Sequence, residues 1–275
     1  IRGVVKDYAA TETTKTVSSI WTEGDAIGVT TAAGISKISY IMTDDRNVKY
    51  AYNAEKDVFQ VVSKEGEDHT IYFKGPYTMS MTAYAPYTGE RGTLAGVIQA
   101  STTSEKQVDT ARATIDFLYA EGGGSQTNPR VEFQFFHKMS QLVLAFKAGG
   151  GLELDDISYT LKNIILDGSF DTSAGSVASG KTTGNINMSL AKGKEMNSSV
   201  IVFPQKLAST LLLELAMGGK TYAQPIGNGI DLISGNTYIF DVTIAPQSMT
   251  VSPAKIEDWI WGENSDHYVI AGESE

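Results

Sequence analysis

The sequence predicts an all-β protein built as two β-sandwich domains, and three observations predict it. Short runs rich in β-branched and aromatic residues, bounded by Asp, Asn and Gly clusters, recur along the chain. Two of these runs alternate strictly: Leu211, Leu213, Leu215 and Met217, then Tyr238, Phe240, Val242 and Ile244, which is the period of a half-buried strand. The length of 275 residues suits about two domains, and 27 glycines suit many turns. A helix over 207–217 is the competing pattern, but the alternation and the flanking Pro204 and Gly218 favour a strand. The expected arrangement is a Greek-key sandwich of transthyretin-like or immunoglobulin-like type.

In chain order, residues 1–8 read as a first strand with Ile1, Gly3 and Val5 on one face. A polar, Thr-rich connector follows over 9–15. Residues 20–29 combine an aromatic anchor, Trp21, with a tight turn, Glu23-Gly24-Asp25, and a strand, Ala26 to Val29. Gly24 is free to take positive φ there, and Asp25 can bond nearby backbone amides. Strands are then expected over 38–42, 48–52, 58–62, 70–73, 79–85, 95–100 and 114–119. The run Glu121-Gly122-Gly123-Gly124, closing at Pro129, reads as a break, because three glycines carry a large backbone entropy cost in a strand. The domains are accordingly expected to be 1–123 and 124–275.

The second half repeats the pattern. Val131, Phe133 and Phe135 alternate, then Leu142, Leu144 and Phe146, then Ile157, Tyr159 and Leu161 leading into 164–166. Residues 171–184 read as a Ser/Thr/Gly-rich loop beside Phe170, and Val200 to Phe203 stops at Pro204. Gly218-Gly219 signals a hairpin from 211–217 to 221–223. Trp259 and Trp261 are expected to close the C-terminal core. The tail beyond carries strand character at Tyr268, Val269 and Ile270.

The formal net charge is −10, which argues against nucleic acid, since phosphates demand a basic face. No cysteine is present, so disulfides, thiolate nucleophiles and cysteine metal sites are excluded. No run approaches the ~18 apolar residues of a membrane-spanning helix. Because Ile1 is not an initiator, a trimmed chain is expected, with any signal peptide or lipid-bearing cysteine upstream of it.

Chemistry-bearing constellations are few. His69, His137 and His267 are dispersed, with no metal-ligand spacing between them. Glu67-Asp68-His69 reads as a solvated charged loop, and His137 as a half-buried histidine bonded to a backbone group. Asp44-Asp45 and Asp155-Asp156 sit where Asp favours turns, and a glycosidase would need two acids across one cleft. No nucleophile elbow, P-loop or dinucleotide fingerprint occurs. Asn187-Met188-Ser189 and Asn197-Ser198-Ser199 match the short glycosylation sequon. No enzyme activity, metal or cofactor is expected. The 13 tyrosines and 10 phenylalanines pack a sandwich or, where exposed, stack on sugars.

Several segments carry a family resemblance. Residues 20–29 resemble the W-x-x-G-D-x-I-G-V segment of the fimbrillins, the fimbrial subunits of Bacteroides-type bacteria. Tyr84-Ala85-Pro86-Tyr87, Asp116 to Ala120, Phe135 to Leu142, and Val202-Phe203-Pro204-Gln205 are similar to further segments in family order. So is Ser234 to Phe240 followed by Ile256-Glu257-Asp258-Trp259. The resemblance implies a polymerising subunit, exported through the outer membrane as a lipoprotein precursor and displayed at the cell surface. A protease cuts near its N-terminus, the first strand is lost, and a segment of a neighbouring subunit fills the groove.

Such a step has simple physics. An edge without its strand exposes unpaired N–H and C=O groups, and an added strand satisfies them. Each apolar side chain buried with it contributes roughly 1.5–3 kcal/mol. The resemblance places the cut at Lys15, since Thr13-Thr14-Lys15 is similar to the family's T-T-R, with Arg2 and Lys6 as lesser candidates. The removable strand would present Ile1, Gly3 and Val5, and the donor tail would present Tyr268, Val269 and Ile270. Expected partners are other fimbrial subunits, in homo- or hetero-polymers. The alternative is a tip-type adhesin, a carbohydrate-binding sandwich with host glycans or proteins as partners.

Overall fold

The computed structural model describes residues 2–5, 21–31, 46–73, 76–192, 196–209 and 211–259, and for 2–5 the backbone alone. The strand expected over 38–42, together with Ile1, Lys6, Lys15, Trp261, Tyr268, Val269 and Ile270, lies outside the described residues.

The chain begins with β1 (Arg2–Val5), β2 (Ala26–Thr31), β3 (Val48–Asn53), β4 (Val58–Val61), β5 (Met79–Ala85) and β6 (Val97–Ser101). A 3-10 turn (Ser104–Lys106) and a one-turn helix α1 (Asp109–Arg112) follow. Then come β7 (Leu118–Gly124), β8 (Glu132–His137), β9 (Ser140–Ala148), β10 (Ile157–Ile165), β11 (Asp167–Asp171), β12 (Ser176–Ser179) and β13 (Thr183–Leu190). The chain continues through β14 (Asn197–Val202), β15 (Leu212–Met217), β16 (Lys220–Pro225), β17 (Asn236–Ala245), β18 (Ser248–Val251) and β19 (Lys255–Asp258). The protein is mostly β, and its sheets are largely antiparallel.

Seven strands form the first sheet, in the order β1-β8-β7-β5-β2-β3-β4. Strand β8 turns a corner in it. Only its end pairs with β7, at Leu118↔His137 and Tyr119↔Phe136, while Glu132 to Phe135 pair with β1. The first core lies against this sheet, and its largest side chains include Ile27, Tyr50, Phe59, Met81, Phe133 and Phe135.

Two further sheets contribute side chains to a second core. One has the order β13-β10-β15-β16, the other β14-β9-β17-β18 with β19 also paired to β17. The alternating residues of 211–217 and 238–244 meet there, with Leu213 and Leu215 opposite the group of Tyr238, Phe240 and Val242. Strands β9 and β17 run parallel, so two strands distant in sequence lie side by side at the centre of the second sheet. A third cluster joins the parts. Phe117 stacks on Phe170 of the small sheet β12-β11-β6 at 4.7 Å, with Tyr84, Ile201, Phe203 and Trp259 around them.

Three expectations need correction. Gly122 to Gly124 are not a break but the end of β7, paired with Met79 to Met81, so the boundary at 123/124 falls inside a strand of the first sheet. Residues 171–184 are not a loop, since β12 and the start of β13 lie in them. Residues 70–73 form no strand. Ile71 N–H donates to the Tyr50 hydroxyl at 3.4 Å rather than to a ladder.

Candidate assembly site at the outer edge of the first sheet

Among the described residues, strand β1 is the end strand of its sheet and pairs with β8 alone, in parallel, with Gly3 beside Phe133 and Val5 beside Phe135. Its Cα atoms also come within 8 Å of those of β4, so the two end strands of the sheet, β1 and β4, approach each other. Both flanking strands place aromatic side chains in the core beneath. Phe133 and Phe135 of β8 and Phe59 of β4 are all buried.

Trp21 ties these two strands together. Its ring meets Phe59 edge-on at 4.9 Å and Phe135 edge-on at 5.3 Å, the arrangement that aromatic quadrupoles favour. The turn after it is pinned at both ends. Asp25 Oδ2 accepts from Thr22 N–H at 2.8 Å, Gly24 sits at φ 90°, and its N–H donates to Tyr52 C=O at 3.1 Å. Glu23 Oε2 accepts from Ala54 N–H at 2.7 Å. The turn thus clamps the β3–β4 connection while Trp21 fills the floor between β8 and β4.

Other sheet edges are closed by side chains. On β14, Gln107 pairs with both backbone groups of Ile201, and Arg112 donates to Ser199 C=O at 3.1 Å. Burial holds the Arg112 pKa below its ordinary value. At the end of β10, beyond its pairing with β15, Gln205 bridges Ile165 N–H and C=O in the same way, at 2.9 and 3.0 Å. On β13, Asn187 N–H donates to Ser104 Oγ at 2.9 Å. The edge under β1 is closed by a strand instead.

Of the predicted site residues, Arg2, Gly3 and Val5 lie in β1, and Trp21 packs against the first core. Trp259 is buried in the third cluster, stacked at 4.2 Å on His137 at the other end of β8. His137 is therefore fully buried rather than half-buried, and its partner is a carboxylate, Asp116 Oδ1 at 2.7 Å from Nδ1. No metal-binding group of His, Cys, Asp or Glu occurs among the described residues, nor is any helix there long and apolar enough to cross a membrane. The edge-closing roles of Gln107 and Arg112 had no signal in the sequence, because lone polar residues in a polar stretch carry no periodicity.

The fimbrillin-like family profile matches residues 10–259. The chain belongs to the fimbrillin-like family. It is 27% identical over 265 residues to the "Putative fimbrium subunit Fim1C" of Bacteroides uniformis, covering 90% of this chain and 82% of that one. A crystal structure of a "putative cell adhesion protein" from Bacteroides ovatus superposes with a TM-score of 0.83 at 33% identity, over 95% of this chain and 97% of that one. A second, from Bacteroides uniformis, shares the fold with a TM-score of 0.69 at 23% identity, over 87% and 93%. This fimbrillin is a structural or adhesion protein and not an enzyme.

Proposed function

We propose that this fimbrillin is a subunit of a bacterial surface fimbrium, exported as a lipoprotein precursor, that polymerises by exchanging its first strand. A protease cuts at Lys15, β1 departs, and a strand from the neighbouring subunit, its C-terminal tail around Tyr268, Val269 and Ile270, takes the place on β8. The single observation that carries this reading is the position of β1: among the described residues it is the end strand of the first sheet and pairs with β8 alone, beside the buried Phe133 and Phe135. Loss of such a strand opens backbone groups and apolar surface together, and both are satisfied by one incoming strand. Two sandwich-like halves, one around each large core, fit a subunit that receives a strand at one end.

The test is digestion of the purified chain with a Lys/Arg-specific protease, followed by mass spectrometry and electron microscopy. Cleavage after Lys15 and loss of the first strand, followed by ladder-forming polymers, is the expected result, and Lys15→Ala should block it. A chain that keeps its N-terminal strand, or that loses it and stays monomeric, overturns the reading.

A second reading, a surface module that binds carbohydrate, is favoured by a polar cleft on the first sheet.

A further inference from the structure

A cavity of about 370 Å3 opens between the loop after β4 and the loop after β5, a volume suited to a small ligand. Both walls are held by buried polar side chains. On one side Asn47, fully buried, donates through Nδ2 to Thr88 C=O at 2.9 Å and Glu90 C=O at 3.3 Å, and its Oδ1 accepts from the Tyr84 hydroxyl at 2.8 Å. Gly92 N–H donates to Arg46 C=O at 2.8 Å, so the loop over 86–92 is tied down along its length. On the other side His69 is also buried. Its Nδ1 lies 3.1 Å from Val62 C=O, its Nε2 lies 2.6 Å from Glu67 Oε2, and its N–H donates to Ser63 Oγ. The solvated loop expected at 67–69 is thus a wall braced from inside.

Two loops with buried polar braces are costlier to build than two plain turns, and bracing of this kind preorganises a binding surface. The groups on that surface are mixed. Lys49, Lys64 and Arg91 supply donors and positive charge, Glu67 and Glu90 supply acceptors, and Tyr87 supplies a ring. Lys49 Nζ lies 5.4 Å from the Tyr87 ring centroid. Lys64 and Arg91 form no ion pair among the described residues. The Arg91 Nε is sealed from solvent and unpaired there, so packing rather than a partner acid holds its side chain. Glu67 is committed to His69. That bond chiefly, with the charges of Lys64 and Arg91 added, holds the Glu67 carboxyl below its ordinary pKa. On a chain of net charge −10, a braced cleft with three cations, Lys49, Lys64 and Arg91, against two carboxylates, Glu67 and Glu90, runs against the surface as a whole.

We propose that this cleft binds an acidic saccharide, a sugar bearing a carboxylate among its hydroxyls. The carboxylate pairs with Arg91 and Lys64, as charge-assisted bonds to a guanidinium favour. The hydroxyls, which both donate and accept, are met by Glu90 and Lys49, and the Tyr87 ring offers an apolar face to the sugar. A neutral sugar offers Lys64 and Arg91 no charge to pair with, whereas a carboxylate offers the Arg91 guanidinium two coplanar oxygens. The proposal rests on the carbohydrate-binding reading and is independent of strand exchange.

The experiment applies the full chain to an array holding uronic-acid, sialic-acid, sulfated and neutral glycans, with Lys64→Ala, Arg91→Ala and the double variant alongside. Retention of carboxylated glycans about tenfold over their neutral counterparts is expected, as one charge-assisted pair predicts. The uronic-acid and sialic-acid arms separate the two sources of the carboxylate. Lys64 is exposed, so Lys64→Ala leaves the fold intact and should weaken retention alone, while the double variant abolishes it. Retention should also fall as salt is raised. Equal retention of neutral glycans overturns the acid specificity and leaves carbohydrate binding standing. Preference for sulfated glycans overturns the carboxylate as the ligand group, and retention unchanged in the double variant overturns the site. Absence of all glycan retention overturns both the site and the carbohydrate reading.

Discussion

Gln107 and Ile201 are joined at both backbone groups of Ile201. The side-chain oxygen accepts from Ile201 N–H at 2.8 Å, and the side-chain nitrogen donates to Ile201 C=O at 2.8 Å. An amide side chain therefore occupies the place of a neighbouring strand on the outside of β14, where it blocks edge-to-edge pairing. Gln107→Ala leaves two buried backbone groups unpaired, each worth about 1–3 kcal/mol. A loss of about 2–6 kcal/mol in urea unfolding is expected. Gln107→Glu should be at least as damaging, since it sets an acceptor against the Ile201 carbonyl. A loss below about 0.5 kcal/mol for either would remove the edge-closing role.

Trp21 bridges Phe59 and Phe135 from a partly exposed position. Trp21→Ala should cost about 3 kcal/mol, the lower end for truncating a packed aromatic, because part of the ring already meets solvent. Chemical denaturation checks the size. Hydrogen exchange should show the loss concentrated in β4 and β8, and a loss spread evenly over both cores would contradict the placement.

Gly28 leaves no room for a side chain. A Cβ there would lie 2.4 Å from a ring carbon of Tyr84 and 2.5 Å from Asn47 Oδ1. Neither neighbour can retreat without breaking the bonds that tie the 86–92 loop. Gly28→Ala should therefore cost about 1–3 kcal/mol by overpacking and loosen that loop, readable as faster proteolysis near Tyr87. A variant as stable as the parent would show that Tyr84 is free to move.

Burial, opposed by hydrogen bonds to Thr88 and Asn47, pushes the Tyr84 hydroxyl up to about 12 from 10.0. A pKa raised on folding means that the protonated hydroxyl belongs to the folded state. Its stabilisation is complete below pH 10 and is lost as pH rises from 10 towards 12. Tyr84→Phe should be less stable near neutrality by about 1–3 kcal/mol, since Asn47 loses a donor. It should also show a smaller fall in stability across that alkaline window. Parallel stability curves for the two proteins would place the alkaline transition elsewhere.

The strands of the second core were legible because they are long and buried on one face. Leu213 and Leu215, or Tyr238 and Phe240, announce themselves by period two. Gly122 to Gly124 misled for a physical reason. Cβ atoms there would lie 2.7 to 3.0 Å from Phe73, Thr78, Met79 and Phe133, so the glycines serve close packing within a strand rather than chain freedom. At 70–73 the side chains do alternate, Ile71 buried and Tyr72 exposed, yet no ladder forms. Alternation reports faces and is silent on pairing. The segment Val202-Phe203-Pro204-Gln205 marked a family likeness, and the structure supplies its reason: Phe203 fills the joining cluster and Gln205 pairs with Ile165. The cleft was invisible in the sequence, because Lys49, Lys64 and Arg91 converge only once β5, β2, β3 and β4 are laid side by side.

Strand β1 is attached to β8 main chain to main chain, and a backbone ladder reads no side chains. Under the proposed strand exchange, a newcomer would need to match β1 only in its rhythm of large and small residues, not in its letters. The joint would then be a common coupling rather than a private key. Filaments assembled through it would mix subunits of different kinds in one fibre, with the order of parts set by how well each tail fits beside Phe133 and Phe135.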